Sequence, residues 1–543
     1  MHCTWMCSSL ILFTLTILII MPDTYAQMSE LHSSTISVTL NDADTYSTHN
    51  MVVSCSDSVL VYGINLIIQH NDAADRYAIH ENTIRLGAHT LQHTSYISNN
   101  HNTDVLLFGE VITDLRYPLL IPKYTSLIIP VQVHDNTPGK PAKAVLDITY
   151  VSDPEAQCTQ VGLYGPQRIG FLDNVNPNSV HIDRQRLEAI NLSVDDYNEY
   201  LKDLGEEWWI DVVIKDNNSD TEVSLIKTRE FHDEGIDIII GPSASSSVAA
   251  VYDYTKRNDM LLISCCSTAP SLAIPDHIFR MAPDDTNQAQ ALAAVMTDDG
   301  IDTVVTIYRD DTYGQGLSDE LVNAMEQRGG IVASTIHFSP NVEDLDATSL
   351  VARLASVVQD LSEVNGSDRV AVVAISFTEI TDIVEAALDY PVLSQVRWYG
   401  SESVVNLRDM TEGELGVFSN TVNLSGVIQH VSPNPLNTQI ESKIRMQLDL
   451  LEDESVNIFA YTAYDAILVL GNAMLTTQSS QTDSLIDALP HVSMKTFGAS
   501  NSVQFNENGD LAAVDYGIWR VMDEHWSLVG IYTQSSDTIT GLP

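Results

Sequence analysis

From Cys158 onward, short apolar runs alternate with segments that carry apolar residues at helical spacing. The runs include QRIGFLD, WIDVVIKD, IDIIIGP and MLLISC, and after IFRMAPDD the cycle restarts with DTVVTIYRD and VAVVAISF. Strands that are apolar along their whole length are typical of a sheet buried on both faces, and such sheets are parallel with crossover helices outside. Two such series in succession predict two α/β lobes.

Residues 27 to about 155 have a different composition. They are rich in Thr, Ser, His and Asn, and turn residues separate β-type runs such as MVVSC, VLVYGINLII and SLIIPVQV. This pattern predicts a small antiparallel β domain, a β-sandwich, which SDPEAQ links to the rest. Near the end of the chain, VQFNENGDLAAVDYGIWRV predicts a hairpin around its Asn-Gly pair.

The chain is strongly acidic. Its 543 residues include 73 acidic and 26 basic side chains, which gives a formal net charge of −47. A surface with this charge repels nucleic acid and anionic membranes, so no nucleic-acid partner is expected. The length exceeds that of one ordinary domain and predicts two or three folded units.

The first residues have the pattern of an export signal. The run LILFTLTILIIM (10–21) is apolar but too short for a comfortable membrane span, and small residues at Thr24 and Ala26 suit a signal peptidase. We therefore expect residues 1–26 to be a signal peptide and the mature chain to be extracellular, periplasmic or associated with the cell surface. Because no Lys or Arg precedes the run, an uncleaved anchor is the alternative.

Four cysteines follow the signal, namely Cys55, Cys158, Cys265 and Cys266. They allow three pairings, and a bond between the adjacent Cys265 and Cys266 would be strained. No cysteine or histidine cluster has metal-ligand spacing, so neither a metal nor a cofactor is expected. The sequence contains none of the motifs GxSxG, HExxH, GxGxxG or the P-loop, so the chain is not expected to be an enzyme.

Hydroxyl-rich loops follow two successive apolar runs. GPSASSS (241–247) comes after IDIII, and SCCSTAP (264–270) includes the end of MLLIS. Open α/β sheets bind ligands outside the carboxyl ends of their strands, where a starting helix offers free N–H groups and its positive dipole end. The loops therefore suit an anion such as a carboxylate, with Ser245 and Thr268 facing one point. The alternative is a plain helix cap or capped turn, since Ser is a favoured N-cap residue.

The two loops belong to a longer series of motifs. The order GPSASSSVAA, LLISCCSTAPSLA, IFRMAPDDTNQAQA, IYRDDTYGQGLSDEL, WYGSES, YTAYDAILV and FNENGD resembles the type I periplasmic binding proteins, and within them the leucine/isoleucine/valine-binding branch. That branch is related to the ligand-binding domains of extracellular amino-acid receptors. The resemblance covers roughly residues 158–535 and leaves residues 27–155 outside it.

The resemblance implies a particular two-lobed α/β fold. Two doubly wound parallel sheets would be joined by three crossover strands, and the ligand would lie between the lobes. Lobe 1 would comprise residues 158–285 with about 428–515, and lobe 2 residues 286–427 with about 516–535.

The resemblance also implies the contacts of a bound amino acid. They are Ser245 and Thr268 for the α-carboxylate, the neighbouring Ser246 as a further contact, the main chain at Cys266 for the ammonium, Tyr313 for an aromatic wall, and Glu402 for the charge that pairs with the ammonium. A zwitterion needs hydrogen-bond donors on one side and a carboxylate on the other, which this set supplies. The alternatives are a solvated loop carboxylate for Glu402 and a packed aromatic for Tyr313.

Three positions depart from the pattern of the leucine-binding relatives. Ser179 stands where relatives with an apolar pocket often carry an aromatic residue, and Ser376 or Phe377 falls on another site that is frequently aromatic. Ala244 stands where the leucine-binding relatives have a disulfide cysteine. Ser179 and Phe377 are therefore candidate contacts in an altered side-chain pocket, and leucine-like specificity does not follow.

These features predict an extracellular solute-binding protein that captures an amino acid or a related small molecule for an ABC permease in the membrane. Hinge closure of the two lobes would trap the ligand. The alternative is a sensor or receptor ectodomain that uses the same cleft and reports to a signalling partner in the membrane. The β domain favours this alternative slightly, and attachment to the cell envelope through residues 27–155 is compatible with either.

Overall fold

The computed structural model describes residues 162–542 apart from 177–180 and 452–453, and between residues 30 and 160 it describes mainly the strands. The predicted signal peptide lies outside the described residues. The chain forms two compact units. The first comprises Met1–Gly165, Tyr200–Trp209 and Asn472–Ala488, and the second comprises Pro166–Glu199, Ile210–Gly471 and Leu489–Pro543.

The first unit contains two antiparallel sheets. One has the order β1-β10-β3-β7 with β8 beside β3, and the other has the order β11-β2-β9-β5-β6 with β4 beside β9. The strands are β1 (Glu30–Leu40), β2 (Ser47–Cys55), β3 (Val59–Gln69), β4 (Arg76–Ile79), β5 (Arg85–Leu86), β6 (His89–Thr90), β7 (Thr103–Leu107), β8 (Leu119–Ile121), β9 (Leu127–His134), β10 (Ala142–Ser152) and β11 (Cys158–Gln160). The predicted antiparallel β region is confirmed, and its boundaries stay a prediction.

Cys55 in this unit is disulfide-bonded. The antiparallel register of β11 against β2 pairs the backbone of Cys158 with that of Cys55.

Lobe 1 of the second unit is built on a five-stranded sheet with the order β13-β12-β14-β15-β16. Strands β12, β14, β15 and β16 pair in parallel. The elements are β12 (Gly165–Asp173), α1 (His181–Leu204), β13 (Trp208–Asp216), α2 (Thr221–Asp233), β14 (Ile238–Ile240), α3 (Ser245–Arg257), β15 (Leu261–Ser264) and β16 (Ile278–Arg280). Each strand ends beside the start of a loop or helix at the same sheet edge, as the parallel arrangement requires.

Lobe 2 is built on an eight-stranded sheet with the order β18-β17-β19-β20-β21-β24-β25-β26. Its first five strands pair in parallel and its last three antiparallel. The elements are α4 (Asp285–Asp298), β17 (Thr303–Arg309), α5 (Thr312–Gln327), β18 (Ile331–Phe338), α6 (Ala347–Asn365), β19 (Val370–Ile375), α7 (Ile380–Ala387), β20 (Arg397–Gly400), α8 (Gly413–Thr421), β21 (Ser425–Gln429), β24 (Tyr516–Met522), β25 (His525–Thr533) and β26 (Thr538–Gly541). Alternate residues of β19 belong to separate apolar clusters, so this sheet is buried on both faces as predicted.

The remaining elements lie between β21 and β24. They are α9 (Pro435–Gln447), α10 (Ile458–Thr477), α11 (Thr482–Ser493), β22 (Phe497–Gly498) and β23 (Asn501–Ser502). Helix α10 is long and apolar enough to cross a membrane, but 89% of its apolar window is buried inside the protein. Tyr461 and Tyr464 are buried in this helix.

Three chain segments run side by side between the two lobes. The Arg280 N–H donates to Gly509 and its carbonyl accepts from the Leu511 N–H, while the His430 N–H donates to Asp515. The buried Arg280 side chain also pairs with Asp510. The predicted triple crossover is therefore present, while the predicted lobe boundaries stay predictions.

The predicted hairpin around Asn508-Gly509 is wrong in its extent. An isolated antiparallel bridge joins Phe505 to Leu511, and the longer ladder is β24 with β25, which turns at Asp523 and Glu524. The ion pair between Asp510 and Arg280 holds the Asn-Gly segment against the crossover, so it does not extend as a ladder.

Candidate functional site

A cavity of about 450 Å³ lies between the two lobes of the second unit. Seven of the residues predicted to contact a ligand line it: Ser245, Ser246, Cys266, Thr268, Tyr313, Phe377 and Glu402. The eighth, Ser179, lies outside the described residues. The structure thus brings these seven together, and their roles stay predictions.

The start of helix α3 forms part of the lobe 1 wall. Gly241 has a φ of 100°, and a Cβ there would lie 2.2 Å from the Leu172 carbonyl oxygen, so glycine is required for the turn into this helix. Ala244 occupies the N-cap position, where its methyl group cannot accept a hydrogen bond. The N–H groups of Ser245 and Ser246 have no acceptor among the described residues. Two donors and the positive end of the helix dipole therefore remain available to the cavity.

The Ser245 hydroxyl holds the neighbouring loop instead of pointing freely into the cavity. Its oxygen accepts from the N–H groups of Thr268 and Ala269, both at 3.2 Å, and from the Ser267 hydroxyl at 3.1 Å. The Thr268 hydroxyl donates to Asp285 at 2.9 Å. The two hydroxyls predicted to bind a carboxylate are thus engaged with the protein, which leaves the main-chain N–H groups as the available donors on this wall.

Cys265 and Cys266 form a disulfide bond, which the expectation of strain between adjacent cysteines did not anticipate. The Ser264 hydroxyl oxygen accepts from the Ser267 N–H at 3.2 Å, and the Ser264 O–H donates to the Pro242 carbonyl oxygen at 2.7 Å. These hydrogen bonds gather the loop into a tight turn, in which the adjacent side chains meet. Cys266 lines the cavity, so the disulfide is part of the lobe 1 wall.

Glu402 occupies the lobe 2 wall just after β20. The residue is 2% exposed, and its carboxylate has no hydrogen-bond or ion-pair partner among the residues that the structure describes. Its backbone N–H donates to Gln288 at 2.8 Å. Burial, and then the charge of Asp285, raise the pKa of the Glu402 carboxyl well above its ordinary value. A buried carboxylate without a partner is costly, so this group requires a proton or a cationic ligand.

Asp285 links the loops of the two walls. Its carboxylate accepts from the Thr268 hydroxyl and, at 2.6 Å, from the side-chain amide of Gln288, which in turn holds Glu402. Burial raises the pKa of Asp285 above its ordinary value, while the Arg280 charge and these hydrogen bonds oppose the rise. The two carboxyl groups therefore compete for ionisation inside one buried network.

Aromatic rings complete the lobe 2 wall. Tyr313 stacks on Phe377 with ring centroids 5.3 Å apart, and the Arg309 guanidinium carbon lies 3.8 Å from the Phe377 centroid. The Tyr313 hydroxyl oxygen accepts from Ser403 at 3.3 Å. A Cβ at Gly314 would lie 2.1 Å from the Arg309 carbonyl oxygen, so glycine allows α5 to start close against β17.

Several residues of the cavity escaped the sequence analysis. They are Arg186 and Asn457 on one side, and Arg309 and Glu379 on the other, with Asp285 behind the wall. Arg309 lies inside the motif YRDDTYGQG, four residues before Tyr313, and Asp285 lies inside APDDTNQ, so membership of a motif was the available signal. Among the described residues, no group of three or more His, Cys, Asp or Glu side chains could hold a metal ion.

Comparisons with known proteins agree with this fold. The uncharacterized protein MJ1266 of Methanocaldococcus jannaschii is 22% identical over 392 residues, which are 68% of this chain and 91% of that protein. Glutamate receptor 2.7 of Arabidopsis thaliana is 23% identical over 65% of this chain, and the match spans 39% of the receptor's length. The crystal structure of the leucine-binding protein LivK from Thermotoga maritima matches with a TM-score of 0.58 at 18% identity, over 68% of this chain and 99% of that one. The two-lobed type I periplasmic-binding-protein fold is therefore shown.

A family of ligand-binding regions, and not one of enzymes, accounts for most of the chain. Its model matches residues 185–524, which is more than half of the 543 residues and includes both walls of the cavity. The chain belongs to the receptor family ligand binding region.

Proposed function

We propose that this chain is an exported binding protein that captures a zwitterionic amino acid, or a related small molecule, between its two lobes. The observation that carries the proposal is the buried carboxylate of Glu402, which has no partner within the described part of the chain. It lines the same cavity as the uncapped start of α3. An acceptor of positive charge and a donor site for negative charge thus share one small space.

The chemistry of the two walls fits the head group of an amino acid. The α-carboxylate would accept from the N–H groups of Ser245 and Ser246, and the ammonium would donate to Glu402. Hydrogen bonds that involve a charged group are worth about 1.5–3 kcal/mol each. An ammonium would also remove the cost of leaving Glu402 buried and unpaired. Ligands that lack either charge would forfeit one of these gains.

Delivery to an ABC permease is the first candidate for the biological role. LivK, whose fold this chain shares, is a leucine-binding protein. Signalling is the second candidate, because glutamate receptor 2.7 is a relative and the β-strands between residues 30 and 160 lie outside the family match. In both roles the amino-acid site and the closure of the lobes would be the same, and the partner in the membrane would differ.

The head-group assignment is tested by derivatives of one amino acid. We expect an L-amino acid found by thermal-shift screening to raise the melting temperature, since a ligand that binds only the folded chain stabilises it. Its methyl ester and its N-acetyl derivative should each bind at least tenfold more weakly, because each removes one charge. Equal binding of either derivative would contradict the assignment of that charge. If no amino acid raises the melting temperature, the proposed function is wrong.

A further inference from the structure

Two buried arginines, one from each lobe, line the cavity together with Glu402. Arg186 on α1 bonds to Asp173 at 2.7 Å and to Asp183 at 2.6 Å, and we call these three residues the Arg186 cluster. Arg309 at the end of β17 bonds to Asp311 at 2.6 Å and to Glu379 at 2.7 Å, and these form the Arg309 cluster. Neither arginine was needed to hold the head group of the ligand.

Each arginine keeps one nitrogen free for a ligand. Within the described residues, Nη1 of Arg186 and Nη2 of Arg309 have no hydrogen-bond partner. Both nitrogens keep some solvent-accessible surface, and both residues line the cavity. Each nitrogen is therefore accessible, and the cavity is the space that these residues share.

Contacts along each wall place the arginines beyond the head group. On lobe 1, Arg186 donates to Ser243 at 3.4 Å, and Ser243 stands two residues before Ser245. On lobe 2, Phe377 lies in contact with both Tyr313 and Arg309, and Tyr313 bonds to Ser403, the neighbour of Glu402. The side chain of a bound amino acid would extend along these contacts toward the two arginines.

Asn457 contributes a third donor to the cavity. Its side-chain oxygen accepts from the Phe459 N–H at 2.9 Å and so caps the start of α10. Its amide nitrogen has no partner in the described part of the chain, although the residue is buried and lines the cavity. The oxygen is therefore used by the fold, and the nitrogen can still donate a hydrogen bond.

The charges around these donors disfavour an ionised side chain. Each arginine cluster contains two carboxylates and one guanidinium, so a further negative charge would meet an excess of negative charge on both walls. A positive charge would find carboxylates that are already engaged, because Asp183 also accepts from Asn174 and Glu379 also accepts from the Phe377 N–H. A hydrocarbon side chain would leave the three donors desolvated and unpaired, which costs about 1–3 kcal/mol for each group.

We propose that this part of the cavity selects an amino acid with a neutral polar side chain that presents a carbonyl oxygen, such as a side-chain amide. The proposal rests on the proposed function, since it assigns the side-chain end of the same ligand. The carbonyl oxygen would accept from the free arginine nitrogens and Asn457.

Calorimetry with four probes of similar length tests the proposal: L-glutamine, L-glutamate, L-methionine and L-lysine. We expect glutamine to bind at least tenfold more tightly than each of the others. Methionine binding as tightly as glutamine, or tighter binding of glutamate or lysine, would overturn the neutral polar assignment while leaving the proposed function intact. If none of the four probes binds while another amino acid raises the melting temperature, the neutral polar assignment is overturned and the proposed function stands; the proposed function fails only if no amino acid does so.

Two variants then test the donors directly. Asn457→Ser keeps an oxygen to cap α10 and removes the amide donor, and Arg309→Lys keeps the charge beside Glu379 but removes the planar fork. In each, the ratio of glutamine affinity to methionine affinity should fall at least threefold. Asp346→Ser, which changes an exposed N-cap on α6 away from the cavity, is the control and should preserve the preference. An unchanged preference in both cavity variants would overturn the proposal, and Asn457→Ser alone decides if Arg309→Lys does not fold.

Discussion

In the proposed complex, the two walls of the cavity would offer their charges to the ligand by different means. On lobe 1 the donors are main-chain N–H groups at the start of α3, and the nearby hydroxyls of Ser245 and Thr268 serve the loop and Asp285. On lobe 2 the acceptor is one side chain, Glu402. A substitution to any residue other than proline changes a side chain and leaves the backbone donor in place. The two walls should therefore differ in their sensitivity to mutation.

The largest expected effect follows from replacing Glu402. Glu402→Gln keeps the shape of the side chain but removes the charge that pairs with an ammonium, so amino-acid affinity should fall at least 100-fold, or about 2.7 kcal/mol. Isothermal titration calorimetry measures the loss. Glu343→Gln, in the exposed 3-10 turn Val342–Asp344 of the same lobe, is the matched control and should bind as the wild type does. Unchanged affinity in Glu402→Gln would exclude this residue from the site.

A smaller loss is expected on the opposite wall. Ser245→Ala removes the acceptor that orders the N–H groups of Thr268 and Ala269 but leaves the N–H groups of α3 in place. Affinity should fall about tenfold, and the melting temperature should fall because two buried N–H groups lose their partner. A loss as large as that in Glu402→Gln would show that the serine hydroxyl, and not the backbone, binds the carboxylate. That outcome would erase the difference between the walls.

The coupled carboxyls predict that ligand binding releases a proton. Since the pKa of Glu402 is raised in the empty cavity, the group retains a proton at pH values where an exposed Glu is ionised, and an ammonium would displace it. Affinity should therefore rise a few-fold as pH increases toward the raised pKa. Burial also raises the pKa of Tyr313 and Tyr516 beside this pair, so both phenols stay neutral.

Calorimetry in two buffers of different ionisation enthalpy measures the released proton. Asp285→Asn removes the like charge next to Glu402 and should reduce the release. Without ligand, the native chain binds more protons than the unfolded chain between the ordinary and the raised pKa, so the free energy of unfolding should decrease as pH rises through that interval. Equal binding enthalpies in both buffers would contradict the coupling.

The sequence predicts the fold and the residues at the head-group end of the cavity better than it predicts the rest of the site. Hydroxyl-rich loops after apolar runs locate Ser245 and Thr268, because the carboxyl ends of parallel strands share one sheet edge, and the resemblance to the type I periplasmic binding proteins adds Glu402. What these residues bond to depends on partners distant in sequence. Asp285 accepts a hydrogen bond from the Thr268 hydroxyl, and no local sequence pattern predicts this contact.

Sequence patterns did not predict the donors at the side-chain end of the cavity, for the same reason. Arg186 and Arg309 are candidate donors because each has one nitrogen that is not bonded to the two carboxylates of its cluster. Asn457 is a candidate donor because its side-chain oxygen caps a helix, which leaves its amide nitrogen to donate. Which donors remain without a partner depends on all the other contacts that the folded chain makes. The bond between Cys265 and Cys266 lies in a turn where the Ser264 hydroxyl oxygen accepts from the Ser267 N–H.

The smallest expected effect concerns the aromatic part of the lobe 2 wall. Phe377→Leu preserves an apolar side chain but removes the ring that contacts both Tyr313 and the Arg309 guanidinium. Aromatic pairs and cation–π contacts are each worth about 0.5–1.5 kcal/mol, so affinity should fall about threefold to tenfold. Phe418→Leu, which removes a ring packed on Trp398 in the core of the same lobe, controls for the loss of an aromatic contact. It should lower the melting temperature and leave affinity constant, whereas equal losses of affinity in both variants would show that Phe377 acts only through the stability of lobe 2.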